Sequence, residues 1–169
     1  HVFNAGSLWL EREPTVKEIC DSIDDWDLEK YDEIVFCGYG EPTERLDDLL
    51  QVASHVKSNG KTKIRINTNG LSDLINGEKT AQKLKGLIDT VSISLNATDK
   101  KKYFEMVRPK FGIDSYDAML SFAKDCTEYV GEVIMTVVDV VTSKQEQEKS
   151  REICESIGAT FRVRPYEEN

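Results

Sequence analysis

The chain has 169 residues, enough for one domain with a single hydrophobic core that needs no disulfide or metal to hold it together. Its 31 acidic residues outnumber its 22 basic ones, and the net charge of -9 argues against non-specific binding to nucleic acid or anionic membranes. No apolar run is long enough to span a membrane and the first residues lack the order of a signal peptide, so we expect a cytoplasmic protein.

Helices and strands alternate along the chain. The first helix has the capping-box residues Thr15 and Glu18, and its apolar face is predicted to include Trp26. The apolar run over 33–37 is typical of a strand buried on both faces. The later predicted elements are, in order, a helix over 46–56, a strand over 63–67, a helix over 80–85, a strand over 90–95, helices over 100–106 and 115–123, a strand over 133–141, a helix over 143–157 and a strand over 160–164.

This alternation, with connections too long for hairpins, predicts an α/β fold with about five parallel strands and six helices. The pattern begins with a helix, whereas an α/β unit normally begins with a strand. We therefore expect residues 1–169 to form one domain whose first strand precedes residue 1.

Ligands of parallel α/β folds lie over the carboxyl ends of the strands, so the residues that leave each strand are the candidate site. None of these exits carries a lysine for a Schiff base or a histidine as general base, since His55 falls within a helix and is interpreted as a surface residue. The first exit, "GYGEP", contains Glu41, which would repel a phosphate and suits a cation such as an amino group. Its glycines let backbone oxygens approach that group closely.

The four cysteines are Cys20, Cys37, Cys126 and Cys154. They form no C-x-x-C pair, and we interpret them as reduced thiols of the core, with all but Cys37 on helices. For Cys37, which directly precedes Gly38, a place in the core and a place at the border of the cavity both stay open.

Five motifs in order resemble those of radical S-adenosylmethionine (radical SAM) enzymes: "GYGEPT", "NTNGL", "SISLNA", the valine-rich strand near residue 137, and "FRVRPY". The stretches "LWLEREPT", "FCGYGEPTERLD", "INTNGL" and "RVRPY" are most similar to the small radical SAM proteins encoded beside TatD-type nucleases. The resemblance implies a partial (β/α)6 barrel. It also implies two cofactors, S-adenosylmethionine and a [4Fe–4S] cluster, and a one-electron reductant such as flavodoxin or ferredoxin. In that family the reduced cluster splits S-adenosylmethionine to a 5′-deoxyadenosyl radical, which abstracts hydrogen from a substrate.

The resemblance also implies roles for individual residues. The methionine amine would be held by Gly38, Tyr39, Gly40 and Glu41. The ribose or carboxylate would meet Thr68, Asn69, Ser94 and Asn96. Adenine or substrate would lie near Val138, Asp139, Arg164, Pro165 and Tyr166.

Each of these motifs also has a purely structural interpretation. Asn69-Gly70 is a common turn dipeptide, Thr43 is a plausible helix cap, and Asn96 could bond its own backbone. Arg108 could pair with a substrate carboxylate or be solvated, and the run over 100–102 is interpreted as a solvated face.

The sequence departs from the family at one point, because its 169 residues contain no C-x3-C-x2-C. We expect the cluster ligands upstream of residue 1 and little activity from the chain alone. Two interpretations of the function therefore stay open. The first is an enzyme whose cysteine loop lies ahead of this sequence. The second is a cluster-free fragment or descendant that binds a nucleoside-like ligand or a protein. A phosphosugar-type barrel enzyme is disfavoured, since the strand exits lack a lysine or an acid–base pair.

Overall fold

The computed structural model describes residues 10–139 and 143–165. Its α-helices are α1 (Val16–Asp24), α2 (Leu46–Asn59), α3 (Ser72–Asn76), α4 (Lys100–Val107), α5 (Ser115–Cys126) and α6 (Lys144–Ile157). Its strands are β1 (Glu33–Phe36), β2 (Lys63–Thr68), β3 (Thr90–Ser94), β4 (Glu132–Val138) and β5 (Thr160–Arg164). Short 3-10 helices lie at Leu28–Lys30, Pro42–Arg45 and Ala81–Leu84. None of the helices in these ranges is long and apolar enough to cross a lipid bilayer.

The five described strands form one parallel sheet in the order β1-β2-β3-β4-β5, which confirms the predicted fold class. Each strand is added beside the one before it, so the sheet winds in one direction. A doubly wound sheet would reverse its strand order at one point. The consecutive order is that of a partial barrel, and all five carboxyl ends lie at one edge.

The two faces of the sheet differ in polarity. Ile66, Ile93 and Met135 belong to the hydrophobic core that packs against the helices. The residues between them form the opposite face, which we call the inner face. It carries Val35, Arg65, Asn67, Ser92, Ser94, Thr136, Arg162 and Arg164. Helices cover only one face, so strands β2 and β3 alternate between apolar and polar residues.

Strand β1 is half-buried throughout, so the prediction that it is buried on both faces is wrong. Among the described residues β1 pairs only with β2. The strand expected before residue 1 therefore stays a prediction.

Helix ends follow their sequence signals closely. Thr15 with Glu18, and Ser143 with Glu146, form complete capping boxes, and Gly158 ends α6 in the left-handed conformation at φ 89°. Trp26 is an exception, because α1 ends at Asp24 and the indole is 62% exposed. It packs edge-on against Tyr31 at 6.3 Å, outside the predicted apolar face.

Two further predictions are corrected in the middle of the chain. The helix expected over 80–85 is a single 3-10 turn, and the sequence analysis missed the short helix α3. Helix α3 has only five residues, too few for a periodic pattern, and is held by tertiary packing beside α5. Strand β4 ends at Val138; the predicted strand residues 140 and 141 lie outside the described residues.

The side-chain environments correct one expectation and add to another. Cys126 and Cys154 are buried and Cys20 is half-buried, but Cys37 is exposed and is not a core thiol. The predicted solvated face over 100–102 is exposed at Lys101 and Lys102, and it is also ion-paired, since Lys100 contacts Asp114 at 2.8 Å and Asp117 at 2.6 Å. Local sequence could not show this, because the partners of Lys100 lie 14 and 17 residues away.

Candidate functional site

Glu41 joins the first strand exit to the second. Its Oε1 accepts hydrogen bonds from the Thr43 N–H at 3.1 Å and from the hydroxyls of Thr43 and Thr68, both at 2.7 Å. Its Oε2 accepts one from the Asn69 N–H at 2.8 Å. Glu41, rather than Thr43, thereby caps the 3-10 turn Pro42–Arg45. The loop after β1 is thus held directly against the end of β2.

The carboxylate of Glu41 is nearly saturated by these contacts. A carboxylate offers about four acceptor positions, two on each oxygen. Three donors share Oε1 and one uses Oε2, so the carboxylate can take one further donor at Oε2. A bound ammonium group would need its other acceptors from backbone carbonyls of the loop.

The glycines of the same loop border open space. A Cβ atom built on Gly38 or Gly40 would meet no atom within 4 Å. Packing therefore does not require glycine at position 40. Tyr39, between the two glycines, is 70% exposed.

The second exit is a tight turn stabilised by its own side chains. The Thr68 hydroxyl accepts from the Gly70 N–H at 3.1 Å, and Asn69 Oδ1 accepts from the Leu71 N–H at 2.9 Å. The turn interpretation of Asn69-Gly70 is therefore confirmed. In the part of the chain that is described, the Asn69 amide nitrogen has no hydrogen-bond partner and remains available to a ligand.

Asn96, at the third exit, has an uncommon backbone conformation. Its φ is 63°, and the N–H groups of Leu95 and Asn96 both donate to the Thr136 carbonyl, at 2.9 and 3.4 Å. Left-handed non-glycine residues cost roughly 1 kcal/mol and cluster at functional sites. The contacts described for Asn96 run to Thr136, and a bond from its side chain to its own backbone is not among them.

A cavity of about 330 Å³ opens beside Asn96, between α4 and the start of α6. Lys102 and Glu146 form an ion pair on its wall. The hydrogen bond from Lys102, together with those from Ser143, lowers the pKa of Glu146 to about 2. This carboxylate is therefore charged at neutral pH.

Strand register places the remaining predicted residues at the same edge of the sheet. Thr68 pairs with Ile93, so Ser94 lies level with Asn69, and Ser94 in turn pairs with Thr136. Val138 pairs with Arg164 at the far side, and Asp139 Oδ1 accepts from Gln147 at 3.0 Å. Pro165 is exposed, and Tyr166 lies outside the described residues.

The structure thus brings Glu41, Thr68 and Asn69 into contact and aligns the other predicted residues along one edge. Thr43 and Gly70 also build the first two exits, although the sequence indicated only a helix cap at Thr43 and a turn at Asn69-Gly70. In the spacing Glu41-x-Thr43, a side-chain acceptor stands two residues before the donor that it caps, and this spacing was a usable signal for the hydrogen bond between them.

The cysteines of the described ranges do not fit a [4Fe–4S] cluster. No group of three or more histidine, cysteine, aspartate or glutamate residues there could hold a metal. Burial raises the pKa of Cys126, and it raises that of Cys154 to about 12, so both remain thiols rather than thiolate ligands. Cys20 lies on α1, and Cys37 is exposed at the end of β1.

We expect the 169-residue chain to retain little iron after anaerobic reconstitution, because its cysteines cannot converge on one cluster. Iron per chain and the visible absorbance spectrum test this. Any loosely bound iron should disappear in Cys37→Ser, which removes the one cysteine that the described residues leave exposed. About four irons per chain with the broad absorbance of a cluster would contradict this account of the cysteines.

Comparison with known proteins agrees with this geometry. The family model of the radical SAM superfamily matches residues 3–154. The solved structure of a radical SAM methyltransferase from Sphaerobacter thermophilus superposes with a TM-score of 0.62 at 16% identity, over 94% of this chain and 60% of that one. This identity establishes likeness of fold, and the chain spans less than two thirds of the length of that protein. No curated protein matches the chain, and the resemblance to the proteins encoded beside TatD-type nucleases stays a prediction. Since the family match covers most of its length, the chain belongs to the radical SAM superfamily.

Proposed function

We propose that this chain forms the S-adenosylmethionine-binding part of a radical SAM enzyme. The [4Fe–4S] cluster of that enzyme would be held by cysteines outside the present sequence. The observation that carries the proposal is the bridge made by Glu41, which brings the Gly38–Gly40 loop beside Thr68 and Asn69. The open space at the two glycines lies at this junction.

The polar groups at the carboxyl ends of the strands are complementary to the amine and the carboxylate of the methionine moiety. An ammonium carries three donors, and the loop offers backbone carbonyls together with the remaining acceptor position on Glu41 Oε2. The Asn69 amide nitrogen and the side chains of Ser94 and Asn96 supply donors for a carboxylate or for ribose hydroxyls. In this arrangement the chain binds and orients the cofactor.

A second candidate function is a cluster-free module that binds a nucleoside-like ligand or a protein. The observation in its favour is that the described residues include no ligand set for a metal. The two candidates differ in the coding sequence ahead of His1, where the enzyme requires a strand followed by C-x3-C-x2-C.

Replacing Gly40 with valine tests the amine-binding loop. The branched side chain would occupy the open space proposed for the ligand, yet it meets no protein atom within 4 Å at Cβ. We expect affinity for S-adenosylhomocysteine, measured by calorimetry, to fall about tenfold or more. In the full-length reconstituted protein, the KM for S-adenosylmethionine should rise and formation of 5′-deoxyadenosine should fall.

Gly60→Val is the matched control. Gly60 also borders open space, but it follows α2 and precedes β2, at the opposite end of the strands from the proposed site. Unchanged affinity and kinetics in Gly40→Val would refute the role of this loop.

A further inference from the structure

Two arginines on β5 share the inner face of the sheet. Arg162 and Arg164 are exposed, whereas the residues that alternate with them, Phe161 and Val163, are half-buried against the core. Side chains two residues apart on a strand point to the same side, about 6.5–7 Å from each other along it. The two arginine side chains therefore leave β5 next to one another on the inner face of the sheet.

Neither arginine has a hydrogen bond or an ion pair in the structure of residues 10–139 and 143–165. Four of the seven arginines of the sequence are paired with carboxylates: Arg12, Arg45, Arg65 and Arg151. In a chain with 31 acidic residues, most surface cations find a carboxylate partner. Two adjacent cations that lack a carboxylate partner repel each other, and an anion placed between them would remove that repulsion.

Two carboxylates near this face each have a partner within residues 10–139 and 143–165. Register places Arg162 level with Thr136, and Arg164 level with Val138. Asp139, which follows Val138, accepts from Gln147 of α6. Glu33, on the same face, is paired with Arg65 at 3.0 Å.

The pair also borders the proposed cofactor site. Ser94, Thr136 and Arg162 form one row across three neighbouring strands. Ser94 is among the residues proposed to meet the cofactor, so a ligand on the arginines would lie on the same concave surface, two strands away.

We propose that Arg162 and Arg164 bind a small substrate carrying two oxyanion groups, phosphate or carboxylate. Each guanidinium presents a planar fork of donors that matches one such group with two parallel hydrogen bonds. That the anion is the substrate rests on the proposed function above. The anion site itself rests only on the two unpaired arginines.

Calorimetric titration of the intact chain with inorganic phosphate, pyrophosphate and glutarate tests the site. We expect pyrophosphate or glutarate, each of which carries two oxyanion groups, to bind more tightly than phosphate. Whichever of the two binds more tightly shows whether the site prefers phosphate or carboxylate groups. Arg162→Gln and Arg164→Gln should each weaken its binding about tenfold or more. Arg162→Lys and Arg164→Lys should restore part of the affinity, since they keep the charge but lose the fork.

Lys124→Gln is the control, because Lys124 is also exposed and without an ion pair among the described residues but lies in the last turn of α5. Its anion binding should stay within about twofold of wild type. An equal loss in Lys124→Gln would overturn the proposal, since it would show a diffuse effect of net charge. Undiminished anion binding in both Arg162→Gln and Arg164→Gln would also overturn the proposal. Binding of a polynucleotide without binding of the small anions would overturn it as well.

Titration with S-adenosylhomocysteine separates this inference from the proposed function. The Arg162 variants should bind it as wild type does. If wild type binds the two-headed anion but not S-adenosylhomocysteine, the proposed function fails and the anion site stands. If the β5 variants lose S-adenosylhomocysteine, the arginines hold the cofactor carboxylate and the substrate assignment fails.

Discussion

Replacing Glu41 with alanine should lower the free energy of unfolding by about 2–4 kcal/mol. The carboxylate accepts four hydrogen bonds, of which the two from Thr68 and Asn69 join the loop after β1 to the end of β2. Two of its partners, Thr43 and Thr68, are only 2% and 5% exposed, so their hydroxyls would lose a charged acceptor in a place that water does not readily reach. Urea unfolding, followed by circular dichroism, measures the change.

The same substitution should remove binding of S-adenosylhomocysteine, because the Gly38–Gly40 loop would no longer be held against Asn69. Glu41→Gln should lose most of this stability as well. Its amide N–H group would take the place of one acceptor oxygen and would face a donor of the protein. Glu44→Ala is the control from the same turn: its ion pair with Lys110 is exposed, and its loss should cost less than about 0.5 kcal/mol. A Glu41→Ala protein as stable as Glu44→Ala would show that the bridge is dispensable.

Replacing Gly70 with alanine should destabilise the fold by about 2–4 kcal/mol. Gly70 has a φ of +78°, and its Cβ would lie 2.7 Å from Met119 Cγ and 2.9 Å from Ile93 Cγ2. Ile93 and Met119 are fully buried, so neither can move without disturbing the core. The new methyl group therefore adds overpacking to the cost of a left-handed alanine.

Gly40→Ala is the matched comparison for Gly70→Ala, because its Cβ meets no atom within 4 Å. Its stability should stay within about 0.5 kcal/mol of wild type. Thermal and urea unfolding of the two variants measure the contrast. Equal stabilities would mean that helix α5 can move away from the second exit, and that the turn is not fixed by the packing of Met119.

Much of the fold was predictable because its signals are local. The capping pairs Thr15 with Glu18 and Ser143 with Glu146 lie within one helical turn, and each confirmed the start of a helix. The order of strands and helices predicted a parallel sheet, and parallel strands bring their carboxyl ends to one edge in any such fold. The positions of the candidate site residues at that edge followed from this rule.

Other features were not predictable, because they depend on which residues meet across the fold. The sequence indicated a carboxylate for a cation at Glu41, but its bond to the Thr68 hydroxyl spans 27 residues. Trp26 fits a helical apolar pattern, yet the helix ends before it and leaves the indole exposed. Cys37 follows an apolar strand that local pattern could not distinguish from a fully buried one.

The sequence by itself determined the alternation of elements, the helix caps and the polar groups that leave each strand, since these follow from interactions between near neighbours in the chain. Only the tertiary structure decided that the Glu41 carboxylate bonds mostly to the protein and that Gly70 is required by packing. It also decided that Arg162 and Arg164 have no carboxylate partner among residues 10–139 and 143–165. Partners are assigned when distant segments pack together, and the charge or spacing of residues along the chain does not contain that information.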